Sequence, residues 1–286
     1  MREDLTVKRI WENKSWIVAT LAIIITFFVL IVSLESNSVT VKVNQLNIRS
    51  GPDVTYSVRA KVKQGQRLQV ISRKSNWIKV IYQHKTIGWV AAWLVQNSNV
   101  QNVTRLSEAT IVLDPGHGGS DTGALSMTGQ PEKRYTLEVA KRVERNLQAR
   151  GARVVMTRSS DKTVPLAARP EIANSSSANL FVSFHFDSSD ENNVASGYTC
   201  YFYHNGDSKQ LAKSVNDQMK NLPLSSRGVE FGNFLVIRDN SVPAILIEGG
   251  YINTSKDFKQ IQNPTYQKKL ADDVVDGIAN YFKTNN

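Results

Sequence analysis

Four residues of this 286-residue chain stand where chemistry could be done. His117 lies in Asp-Pro-Gly-His-Gly-Gly directly after the apolar run TIVLD, His185 lies in NLFVSFHFD, and Glu248 lies in PAILIEGGY, so each closes a short apolar segment of strand length. Glu132 sits in GQPEKRYTLEVAKRV, where helical periodicity begins. The glycines around His117 remove side-chain bulk and let the backbone turn tightly, which opens the imidazole to an ion or a substrate. Two imidazoles and one carboxylate make a three-ligand set of the kind that catalytic zinc uses, with the fourth position kept for water. Each residue also has a plainer reading. A lone histidine at a strand end is commonly structural, and on spacing alone Glu132 is a helix-start acid, favoured by the helix dipole without any function. Asp114 reads either as a partner that orients His117 or as a turn residue before Pro-Gly. His84, in the turn QHKT, and His204, in a Tyr-rich turn, read as surface residues, and Cys200 as a small packed side chain in a strand-like run.

The elements that must position these residues alternate between strands and helices from Ala109 onward. TIVLD, ARVVMTR, NLFVSFHF, GYTCYFY and AILIEGGYI have the length and apolar character of strands. Residues 134–150 place Leu137, Ala140, Val143 and Leu147 on one helical face, with Gly151 positioned to end the helix. Residues 166–174, 208–222 and 266–282 supply further helices. This alternation predicts an α/β fold in which a mixed twisted sheet is covered by helices on both faces, with ligands gathered at the carboxyl ends of its strands.

Charge divides the chain before that point. The net charge is +10, and residues 39–107 alone carry eleven Lys and Arg against a single acid, Asp53, whereas residues 108–286 are balanced. A domain boundary near residue 100 follows, and the basic half is expected to face a polyanion. Within residues 39–97 the apolar positions Val39, Val41, Val43, Leu68, Val70, Ile78 and Val80 repeat every second residue between turns at Ser50-Gly51-Pro52-Asp53 and Gln64-Gly65, which predicts a small all-β barrel. Residues 98–108 are polar and lack periodicity, so they read as a linker, and residues 109–284 form the second domain. Residues 16–34 hold no charge, long enough to cross a bilayer core of about 30 Å as a helix. Arg2, Lys8, Arg9 and Lys14 in residues 1–15 would stay cytoplasmic, leaving both domains outside. A single uncleaved transmembrane anchor is expected over a cleaved signal and secretion, because Ser36-Asn37-Ser38 is a poor cleavage site. One cysteine excludes an internal disulfide.

Residues 110–282 resemble the zinc-dependent N-acetylmuramoyl-L-alanine amidases of bacterial cell walls. The likeness is carried in order by IVLDPGHGGSDTGA (111–124), GQPEKRYTL, TRSSD, RPEIAN, SFHFD, SRGV (226–229) and IEGGYIN. It implies Zn²⁺ bound by His117, Glu132 and His185, with Glu248 as the catalytic acid and base. The bond it implies is the amide joining N-acetylmuramic acid to the L-alanine of the peptidoglycan stem peptide. Phe186, Asp187, Gly249-Gly250-Tyr251 and Asn253-Thr254 depart from the usual pattern at positions that bear on substrate contacts. The segment DSSDENNVAS after His185 is too short for the inserted helix that blocks the zinc in some members, so an open site is expected. LNIRSGPD, QGQRLQV, NWIKV and GWVAAWL resemble a bacterial SH3-type domain, which implies binding to wall peptides or polymers. Together these readings give a peptidoglycan hydrolase of a Gram-positive wall. Anionic wall polymers such as teichoic acids would face its basic barrel, the membrane would be met through the N-terminal helix, and no nucleic acid would be bound. The alternative is a catalytically inactive wall-binding protein.

Overall fold

The computed structural model describes residues 16–29, 37–97, 99–100 and 102–284. Residues 16–29 form a helix, α1, whose apolar side chains, among them Trp16, Phe27 and Phe28, are exposed. At 1.5 Å per residue it covers about 21 Å. No helix among the described residues is long and apolar enough to cross a membrane. The expected span was 16–34; its last five residues, and the expected cytoplasmic residues 1–15, lie outside the described part.

The barrel is built from β1 (Ser38–Thr40), β2 (Gln45–Arg49), β3 (Val58–Lys63), β4 (Arg67–Lys74), β5 (Trp77–Tyr82) and β6 (Thr86–Ala91), paired antiparallel in the order β1-β4-β5-β6-β2-β3. Val41, Val43, Leu46, Ile48, Leu68 and Val80 fill its interior, as the two-residue period requires. A short helix, α2 (Ala92–Val95), follows β6.

In the second domain the strands β7 (Thr110–Pro115), β8 (Arg153–Met156), β9 (Leu180–Asp187), β10 (Tyr198–Phe202), β11 (Ser226–Phe231) and β12 (Ala244–Tyr251) lie in the order β11-β10-β12-β9-β7-β8. All neighbours are parallel except β10 and β12. The helices α3 (Glu132–Ala149), α5 (Asp207–Gln218) and α8 (Pro264–Thr284) cover one face. The smaller α4 (Ala168–Ser175) and α6 (Leu235–Arg238) cover the other, over a separate cluster formed by Val112, Phe181, Val236, Ile237 and Leu246. A further helix, α7 (Ser255–Ile261), packs beside the end of β12.

Three elements carry too little sequence signal to be read in advance. β11 is an exposed edge strand, and α6 and α7 are one or two turns long. The helix expected over 208–222 ends at Gln218 and tightens into a 3₁₀ turn over Met219–Asn221. Pro223 accounts for this, since the residue before a proline is pushed out of the helical region, and Leu222 is extended.

The stretch read as a linker needs correction. Leu106, Ser107 and Glu108 are buried and Val100 packs into the same apolar core as both domains. Thr104 and Ser107 exchange backbone-to-hydroxyl hydrogen bonds of 2.7 and 3.2 Å, closing a turn. The polar residues are there to satisfy a buried turn, and their composition hides the packing.

Leu147, fully buried on α3, makes a direct test of the sheet–helix core. Truncation to Ala should lower unfolding stability by roughly 2–5 kcal/mol in a urea titration, whereas the same change at exposed Leu125 should leave the midpoint nearly unmoved.

Candidate active site

The site forms where β7 and β9 end side by side. The chain leaves β7 through Gly116, where a Cβ would overlap the His185 ring, so only glycine lets the two strands deliver their histidines together. His117 follows with φ +60°, in the left-handed region. The loop then returns to α3, whose first two amides donate to Ala124 and Thr122 carbonyls.

That return brings Glu132, buried at the first helical position, between the two imidazoles. His117 Nε2 lies 3.0 Å from Glu132 Oε2, and His185 Nδ1 lies 3.0 Å from Glu132 Oε1. The rings meet edge to face with centroids 4.8 Å apart. The backbone amides of Ala124 and Phe186 each donate to the same carboxylate at 3.0 Å. Asp121 then approaches His117 Nδ1 at 2.9 Å. A neutral imidazole donates through one nitrogen only, so a ring with a carboxylate at both nitrogens needs either a second proton or a cation between Nε2 and Glu132. The donor set therefore fits a metal ion, and among the described residues His117, Glu132 and His185 form the group able to hold one. Burial works to lower the His117 pKa, but hydrogen bonds and charge from Glu132 and Asp121 outweigh it and raise it. Burial likewise opposes ionisation of Glu132, and the two histidines overcome it and hold the carboxyl well below its usual range.

Glu248 faces the same space from β12, where it pairs in register with His185. It is buried and its Oε2 has no hydrogen-bond partner. Burial, followed by the nearby charges of Glu132 and Asp187, pushes its pKa well above the ordinary carboxylate range. Thus two buried carboxyl groups in one site have opposite proton affinities. Glu248 lines a cavity of about 370 Å³ together with His117, His185 and an apolar wall that includes Leu166 and Phe234. The segment after His185 contains no helix over this opening.

All four residues singled out for chemistry thus meet in one place. Asp114 does neither of the things expected of it. It is fully buried and binds the Arg169 guanidinium at 2.7 Å and the hydroxyls of Thr157 and Ser183 at 2.6 and 2.8 Å. The group that touches His117 is Asp121, which sequence reading passed over although it stands one helical-turn spacing further on in His-Gly-Gly-Ser-Asp. Arg158 and Arg169 were also missed as individual residues. Arg158 donates to the carbonyls of Pro115, Gly116, Lys133 and Ser160, and Arg169 to those of Pro115, His117 and Val164. Asp161 accepts from the Gly119 amide and from Lys133. His84 and His204 stay at the surface away from the site, and burial pushes the Cys200 thiol up to about 12, leaving it inert. Gly249 is a packing residue: Phe186 occupies the space beside it, and its carbonyl accepts the Tyr266 hydroxyl at 2.7 Å.

Two measurements test this electrostatic picture. In the metal-free chain Glu248 binds a proton more tightly when folded than when unfolded, so its contribution to stability falls as pH rises from the ordinary carboxylate range to its own higher pKa. Urea titrations across that window should show Glu248→Gln losing this fall, and parallel pH profiles for the two proteins would refute the assignment. Asp121→Ala, which frees the His117 Nδ1 hydrogen, should weaken metal affinity by about tenfold or more in chelator competition.

Comparison with known proteins gives the same order of parts. The N-acetylmuramoyl-L-alanine amidase family matches residues 111–280, and the bacterial SH3 domain family matches residues 44–96. A probable cell wall amidase, LytH, of Staphylococcus epidermidis is 37% identical over 259 residues, covering 87% of this chain and 86% of that protein. Its Staphylococcus aureus counterpart is 36% identical over 285 residues, covering 95% of each chain. The crystal structure of N-acetylmuramoyl-L-alanine amidase from Clostridium difficile 630 superposes with a TM-score of 0.60 at 34% identity, over 62% of this chain and 98% of its own. The catalytic domain of CwlV, an N-acetylmuramoyl-L-alanine amidase from Bacillus (Paenibacillus) polymyxa, gives 0.59 at 33% identity, over 61% and 98%. With both segments matched in this order, the chain belongs to the N-acetylmuramoyl-L-alanine amidase family and carries a bacterial SH3 domain ahead of its catalytic domain.

Proposed function

We propose that the chain hydrolyses the amide between the lactyl carboxyl of N-acetylmuramic acid and the L-alanine of the peptidoglycan stem peptide, with Zn²⁺ held by His117, Glu132 and His185. The observation that carries this reading is an imidazole caught between two carboxylates beside a buried carboxyl with no partner. When bound, zinc supplies a water acidified toward neutrality and a positive charge for the scissile carbonyl. Glu248 takes the water's proton, and its raised proton affinity makes it a stronger base than an exposed carboxylate. The same carboxyl then returns that proton to the alanine nitrogen as the bond breaks. Asp121 holds the Nδ1 proton of His117 and so keeps Nε2 directed at the metal position. Leu166, Phe234 and Val236 give one wall of the cleft an apolar surface. No observation favours the inactive alternative, since every group that the reaction requires is present and converged.

The protein is further proposed to be held in the membrane by residues 16–34, with both domains outside. An uncharged stretch of that length behind Arg2, Lys8, Arg9 and Lys14 supports this, as does the wall location of the substrate. The exposed cations of the barrel, Arg59, Lys61, Lys63, Arg67, Arg73 and Lys74, suit anionic wall polymers.

Purified peptidoglycan treated with the full chain should acquire free lactyl carboxyls and new N-terminal alanine by mass analysis, lost on chelation and restored by zinc. Glu248→Ala should keep its zinc and lose about 10²–10⁴ in turnover. Ends elsewhere in the stem peptide would overturn the bond assignment, and full turnover in the variant would overturn the role of Glu248. After cell fractionation the chain should require detergent for release; release by salt alone would replace the anchor with surface binding.

A further inference from the structure

The barrel meets the catalytic domain across buried polar contacts. Glu108, fully buried, accepts from Arg49 at 2.5 and 3.2 Å and from Asn47 at 3.0 Å. Arg49 also donates to the Val54 and Tyr56 carbonyls, so the guanidinium is fixed within the barrel. The Trp93 indole N–H is shared between the Ser107 and Gly151 carbonyls at 3.0 and 2.9 Å. Asn179 donates to Asp53 at 2.8 Å. Around these contacts Val100 and Leu106 join the barrel and the catalytic domain into one apolar core.

Position in the fold gives this interface its meaning. Ser107 and Glu108 precede β7, Gly151 precedes β8 and Asn179 precedes β9. These three strands run parallel, and His117 and His185 stand at their opposite ends. The barrel therefore seats against the amino ends of the strands and the site opens at the carboxyl ends, about 20 Å away for strands of six residues at 3.3 Å each. Asp53, the sole acid among residues 39–107, is used in the interface, so what the barrel turns outward is cationic.

We propose that the barrel is a fixed pedestal of the amidase, holding the wall chain that it binds at one set distance and direction from the scissile bond. A module on a free tether samples many spans, set by linker length. Here separation would strip Glu108 of its Arg49 and Asn47 donors and expose Val100 and Leu106, and removing one partner of such a buried pair is costly. The wall-holding role rests on the function proposed above; the docking does not.

The full chain carrying Asp53→Cys and Asn179→Cys tests both parts. The native Cys200 is buried and unreactive, so a short bis-maleimide should join only the new pair, in near-complete yield. The joined enzyme should cleave intact peptidoglycan within about twofold of the unjoined one and release the same fragment lengths. Failure to join, or a loss beyond tenfold on intact wall with cleavage of a soluble muramyl peptide unchanged, would overturn the pedestal. If neither form cleaves the soluble muramyl peptide, the proposed reaction fails instead, and joining yield alone decides the docking. As a second variant, Glu108→Ala should be cut by protease within residues 97–108 at least tenfold faster than the parent, with soluble muramyl peptide turnover unchanged. Equal cutting rates would also overturn it.

Discussion

Everything at the site depends on two buried arginines that hold one loop. Arg158 and Arg169 are almost wholly removed from water, and their guanidinium groups bind carbonyls of the segment Pro115–His117 that carries the first histidine. Arg169 is neutralised by Asp114, while Arg158 is surrounded by carbonyl and hydroxyl oxygens. Burying charge is expensive unless the hydrogen-bonding capacity is filled. Here the forked geometry of arginine fills it with backbone carbonyls from the end of β7, the loop after it and the start of α3. The loop is held in a conformation its own sequence would not choose, including a histidine at positive φ.

With that loop fixed, the site divides two carboxyl groups between opposite tasks. Glu132 and Glu248 are both buried, and desolvation presses both toward the neutral form. Glu132 accepts two backbone amides and faces two imidazoles, so it stays ionised and suits a cation. Glu248 has an unpartnered oxygen and neighbouring negative charge, so it holds a proton more tightly and suits proton transfer. Difference in environment, with residue type held constant, is what drives the two proton affinities apart.

Docking of the barrel uses similar physics at the other end of the sheet. A carboxylate placed just before β7 accepts from an arginine fixed in the barrel, while an indole bridges two carbonyls next to the starts of β7 and β8. Arg158 and Arg169 brace the carboxyl end of β7, and Glu108 ties the residue before its amino end to the barrel.

The sequence by itself determined the α/β class, the separate β barrel, most strand and helix positions and the four chemical residues. Apolar periodicity and glycine placement are local properties, and local properties can be read along a chain. Tertiary structure alone decided which carboxylate touches His117, because Asp114 and Asp121 both stand near it in sequence and only the path of the loop separates them. The proton affinities of Glu132 and Glu248 were decided in the same way, since each depends on residues more than fifty positions distant. So was the burial of Ser107 and Glu108, in a stretch whose polar composition reads as a tether until Asn47, Arg49 and Trp93 fold against these two residues and hydrogen-bond to them. Burial of a polar residue is chosen by partners that arrive from elsewhere in the chain, and that choice leaves no local pattern to read.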